Sequence, residues 1–72
     1  MDEREWLTEI ATRIQVLRVR RRISQHLLAA LAGISRVTLG GIERGEHVAN
    51  LRTYRKIAHA LDASLRELIS DE

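Results

Sequence analysis

The chain contains no cysteine and no proline. Without cysteine there are no disulfides, no thiolate metal ligands and no cysteine nucleophile. Without proline, helical patterns along the chain run free of their strongest breaker. No apolar run approaches the roughly 20 residues of a membrane span, and the acidic start MDERE does not resemble a signal peptide. The expected compartment is therefore the cytoplasm. Length sets a further bound, since 72 residues make one small domain. A core of this size supplies only about 3–5 kcal/mol, so regular helix packing or oligomerisation must carry the stability. A layered enzyme with a deep pocket is not expected.

Hydrophobic residues make up 44% of the chain and charged residues 31%, the balance of a folded globular protein. The net charge of +2 conceals a strong asymmetry. From Ile10 to Leu61 the acids are Glu43 and Glu46 alone. The same stretch carries Arg13, Arg18, Arg20, Arg21, Arg22, Arg36, Arg44, Arg52, Arg55 and Lys56. The remaining acids sit at the two ends. A compact body with that local excess attracts polyanions, nucleic acid foremost, whereas the plainer reading is a solvated basic surface.

Apolar periodicity is helical throughout, and no sustained alternation suggests a strand. Leu7, Ile10, Ile14 and Leu17 predict a first helix from about Arg4 to Arg21. Ser24 predicts the start of a second, carrying Leu27, Leu28, Leu31 and Ala32 and stopped by Gly33. Ser35 caps a third that ends at Gly45. Asn50 caps a fourth with Leu51, Tyr54, Ile57, Ala58 and Leu61 on one face. Ser64 and Glu67 form a capping box before Leu68 and Ile69. The expected fold is an all-α domain of five short helices with tight connections. Between the second and third helices, small Ala29 permits close approach, Gly33 supplies a left-handed turn and Ile34 plugs the corner. That is a helix-turn-helix arrangement, for which an ordinary αα-corner is the bland alternative.

On the segments IATRIQVLR (10–18), ISQHLLAALAGIS (23–35), IERGE (42–46) and LRTYRKIAHALDASLRELI (51–69), the chain resembles the phage-repressor-like, Cro/XRE-type helix-turn-helix family. The resemblance implies a compact five-helix lambda-repressor-like domain that binds double-stranded DNA through the major groove. It implies one domain over residues 1–72, with a family-like core at 10–69 and an extended N-terminus at 1–9. It also implies a homodimer on a palindromic operator and a small transcriptional regulator, such as a phage repressor, restriction-modification controller or antitoxin. By this match Gln25 braces a phosphate at the start of helix two, where unpaired N–H groups and the dipole favour an anion. Arg36, Val37, Thr38 and Gly41 fall on the groove-facing side of helix three. Arg36 can bond guanine in a fork, Val37 can touch a thymine methyl and Thr38 can serve a base or phosphate. Arg44 and Arg52 are candidate phosphate clamps. Arg18 and Glu43 match a pair that ties helix one to helix three. Leu65 and Ile69 are the expected dimer contacts, with Val48 and Ala49 nearby.

Three departures from the family pattern carry expectations of their own. Gly40-Gly41 interrupts the recognition helix at a cost of about 1 kcal/mol per glycine relative to alanine. Either DNA approaches the backbone there, or readout rests on Arg36 to Thr38. Arg22 occupies a turn position often held by glycine. Leu27 and Leu31 stand one turn apart on a face expected to meet solvent; the reading preferred here covers them with Trp6, and the other reserves them for a partner protein. No cofactor is expected: His26, His47 and His59 are too far apart for a local metal motif, and the serines are better explained as caps than as nucleophiles. The alternative to DNA binding is a helical protein-interaction module, or an antitoxin-type partner with weak readout.

Overall fold

The computed structural model describes residues 2–69. Within them the chain forms α1 (Glu3–Arg20), α2 (Gln25–Ala32), α3 (Arg36–Glu43), α4 (Leu51–Ala60) and α5 (Leu65–Ile69), with no strand among the described residues. Each helix starts where a short polar side chain can accept from an otherwise unpaired backbone N–H. Ser24 accepts from Leu27 N at 3.0 Å, Ser35 from Thr38 N at 3.0 Å and Asn50 from Thr53 N at 2.9 Å. Ser64 accepts from Glu67 N while the Glu67 carboxylate accepts from Ser64 N, a reciprocal capping box. The first helix begins one residue earlier than its apolar pattern suggests, because Asp2 accepts from Glu5 N at 2.9 Å.

Helix ends share one device. After each of α1, α2, α3 and α4 the chain turns through a left-handed residue: Arg22 at φ 57°, Gly33 at 70°, Gly45 at 72° and Asp62 at 55°. The following N–H then reaches back into the last turn, as Ile23 N to Arg18 O, Ile34 N to Ala29 O, Glu46 N to Gly41 O and Ala63 N to Ala58 O. Glycine adopts this conformation without penalty, whereas Arg22 holds it at a cost of about 1–2 kcal/mol.

Helix α1 lies against α3 and α5, and α2 packs on α3 and α4. Their inward faces meet in one core of Ile10, Ile14, Leu28, Ala29, Ala32, Leu39, Ile42, Tyr54, Ile57, Ala58, Leu61 and Leu68. Tyr54 is buried with its hydroxyl accepting from Ala49 N at 3.2 Å, which ties the loop before α4 to the core. Ile34 packs against the core edge at the α2–α3 corner. The expectation that Trp6 covers Leu27 and Leu31 is corrected. Trp6 stands on α1, which packs chiefly on α3 and α5, and it seats against the common core. Leu27 and Leu31 stay 43% and 58% exposed.

Candidate nucleic-acid interface

Helix α3 buries Leu39 and Ile42 and presents the opposite side of its first turn outward. Arg36 is exposed and Val37 is 83% exposed. Thr38 stands half-buried beside them, its hydroxyl accepting from Ser35 Oγ at 2.8 Å. The Thr38 proton therefore remains available to a base or phosphate acceptor.

A shallow recess of about 310 Å³ opens on this face, lined by Gln25, Arg36, Val37, Gly40 and Arg44. Gln25 reaches it from the first turn of α2, where the Ser24 cap satisfies Leu27 N and leaves the earliest N–H groups pointing outward. Its amide nitrogen donates to Glu43 Oε1 at 3.4 Å. Arg44 follows α3 directly and folds back along it, with Nε donating to Glu46 Oε2 at 2.6 Å. Both partners are exposed, so this ion pair is worth under about 1 kcal/mol and yields readily to a phosphate.

The glycine pair has a structural explanation that neither sequence-based alternative contained. A Cβ on Gly40 would stand 3.0 Å from the Arg44 guanidinium Nη1 and 3.9 Å from Gln25 Oε1. Gly40 is therefore the bare floor on which Arg44 lies. A Cβ on Gly41 would stand 3.2 Å from His47 Cβ, and Gly41 O accepts from both Glu46 N and His47 N. Gly41 is buried beneath the loop that follows α3. Of the two glycines, Gly40 borders the recess. No local sequence signal distinguishes the two, since the difference depends on where Arg44 and His47 fold.

Behind the recess, Glu43 is buried with its side chain 2% exposed, and Arg18 is 18% exposed. Arg18 Nε donates to Glu43 Oε2 at 3.0 Å and Nη2 donates to Oε1 at 3.1 Å. Its Nη1 donates to Ile23 O at 3.0 Å. Gln15 donates to the Glu43 backbone carbonyl. The end of α3 is therefore bound to α1 through two side chains and to α2 through Gln25.

Arg52 lies outside the recess. It shares a separate open groove of about 320 Å³ with Arg55, Lys56 and His59 along α4. Of the expected dimer contacts, Leu65 and Ile69 are partly buried against the core, while Leu68 between them is fully buried. Val48 and Leu51 are exposed near the start of α4. Among the described residues no group of histidines and carboxylates could hold a metal ion, and no helix is long and apolar enough to cross a membrane.

A helix-turn-helix family model matches residues 14–68. Among solved structures, the restriction-modification controller protein C.AhdI from Aeromonas hydrophila is 40% identical, with a TM-score of 0.84. The match covers 86% of this chain and 94% of that one. An HTH_3 family transcriptional regulator from Vibrio cholerae is 34% identical with a TM-score of 0.89, over 99% of this chain but 40% of its own. The hypothetical transcription factor NHTF from Neisseria is 28% identical with a TM-score of 0.88, over 96% of this chain and 79% of its own. No curated protein matches the chain.

Proposed function

The chain belongs to the XRE-type helix-turn-helix family of DNA-binding transcription regulators, and on that footing we propose that it binds double-stranded DNA sequence-specifically through α3. The observation that carries this reading is the convergence of Gln25, Arg36, Val37, Gly40 and Arg44 on one exposed recess. In the major groove, Arg36 bonds the O6 and N7 of a guanine and Val37 packs on a thymine methyl. Thr38 donates its free proton to a base or phosphate. Gln25 and the start of α2 receive a backbone phosphate, and Arg44 turns from Glu46 to clamp another. Arg52 adds a phosphate contact at the start of α4, and the Arg18–Glu43 pair holds α3 at its working angle.

One short helix offers few base contacts, so the proposal includes a homodimer on a two-fold symmetric operator, its half-sites about 34 Å apart. Leu65 and Ile69 are the proposed contact, because they border the core without being enclosed by it. Among small cytoplasmic regulators, the 40% identity to a restriction-modification controller over nearly its whole length favours that kind. The exposed Leu27 and Leu31 support a second, narrower reading, in which α2 also meets a partner protein.

Selection from a randomised duplex library tests the proposal, and the expected outcome is a symmetric consensus. On the selected site Arg36→Ala should cost about 1–3 kcal/mol and leave random duplex unaffected. Arg44→Ala should weaken every duplex alike and flatten the salt dependence by about 0.9 per lost phosphate contact. Equal losses on selected and random duplex for both variants would refute this division of roles.

A further inference from the structure

Helix α1 obeys the electrostatics of its own backbone, with Glu3 and Glu5 in the first turn and Arg18 and Arg20 in the last. Helix α4 keeps a basic end, with His59 in its last turn, but lacks the acidic start. Its first turn holds Arg52 and no acid, and every further titratable residue on its outward face is basic: Arg55, Lys56 and His59. These side chains stand three and four residues apart, so each faces its like rather than a counter-charge. Among the described residues none of the four makes an ion pair or side-chain hydrogen bond. Nor can the acids of the basic body cover them, since Glu43 is taken by Arg18 and Glu46 by Arg44. A ten-residue helix whose outward charges are all basic and without counter-charges is matched to an anionic partner.

We propose that the outward face of α4 is a second binding site for the phosphodiester backbone of duplex DNA, separate from the α3 recess. In it Arg55 and Lys56 each neutralise a phosphate, with Arg52 and His59 at the two ends of the groove they share. From Arg52 to His59 the helix advances about 10 Å, the axial rise of about three phosphates of one strand. The site reads charge and spacing, not sequence. It rests on the reading that this protein binds duplex DNA, and it extends the Arg52 contact of that reading along α4 to Arg55, Lys56 and His59.

The test compares the full chain with an Arg55→Gln/Lys56→Gln variant. The probe is a fluorescently labelled random duplex of about 30 base pairs, titrated by anisotropy across a salt series. Two lost phosphate contacts should reduce the slope of log affinity against log salt by about 1.8. That corresponds to about 30-fold weaker binding at 0.15 M salt, with the two proteins converging toward 1 M. The charge-conserving Arg55→Lys/Lys56→Arg variant should keep the wild-type slope. Melting of the Arg55→Gln/Lys56→Gln variant should be unchanged or higher, because like-charge repulsion has been removed. A wild-type slope and affinity in that variant would overturn the α4 site while leaving the α3 reading intact. Absence of salt-dependent duplex binding in the wild-type chain would overturn both.

Discussion

Replacing Arg18 by methionine keeps the volume of the side-chain stem and removes the guanidinium from Glu43. The carboxylate, with its side chain 2% exposed, then retains one weak side-chain partner, the Gln25 amide at 3.4 Å. Stranding a buried charge in this way costs about 3–5 kcal/mol. A core of this size supplies only about 3–5 kcal/mol, so the variant should stand close to its unfolding midpoint. Removing the other partner should be milder. In Glu43→Gln the carboxamide oxygen still accepts from Arg18, and Arg18 has some access to water, so about 1–3 kcal/mol is expected. The Arg18→Met/Glu43→Met variant should lose less than the sum of its single variants, because no charge remains buried. Thermal melting followed by circular dichroism reads these effects, each kcal/mol lowering Tm by about 4–8 °C in a domain of this size. Losses below about 1 kcal/mol for both single variants, adding without coupling, would refute the assignment of a buried, interdependent pair.

Gly40→Ala should stabilise α3 by up to about 1 kcal/mol, because the new methyl meets only the flexible ends of Arg44 and Gln25. Displacement of Arg44 should meanwhile weaken duplex binding in the same preparation. Gly41→Ala should gain less or lose stability, since its methyl meets His47 Cβ beneath a loop held by two hydrogen bonds; the reverse order in urea melts would contradict the packing. Arg22→Gly should raise Tm, the relief of about 1–2 kcal/mol of left-handed strain exceeding the added chain entropy. Asp62→Gly should raise it less, because aspartate tolerates that conformation better and Asp62 meets Arg21 at 3.9 Å. Light scattering at micromolar concentration should find Leu65→Glu monomeric and Leu27→Glu still dimeric; the opposite pattern would move the dimer to α2.

The legible parts of the fold were the local ones. A cap is a relation between a residue and the backbone three positions on, so Ser24, Ser35, Asn50 and Ser64 reveal their helices directly. Asp2 escaped because no apolar repeat begins beside it. Gly33 and Gly45 announce left-handed exits, and Arg22 is noticed only against a family that favours glycine there. Asp62 makes the same turn with nothing in its residue type to mark it. The site divides similarly. Gln25, Arg36 and Val37 sit at fixed offsets from two caps, so their meeting at the recess follows from helix geometry. The roles of Gly40 and Gly41 depend on a side chain folding back and a loop crossing over. The neighbour of Trp6 is not legible, because periodicity says which face is apolar, not which helix will meet it.

The attachment of Glu43 to both α1 and α2 bears on how association would be driven. Both anchors of α3 are made when the chain folds, so its angle is set before any partner arrives. The ordering entropy of that helix then belongs to folding and not to complex formation. Calorimetry of the complex should accordingly show a modest negative heat-capacity change, scaled to the surface covered and without the large excess of coupled folding. Encounter should be limited by diffusion and charge steering, with no slow rearrangement after contact.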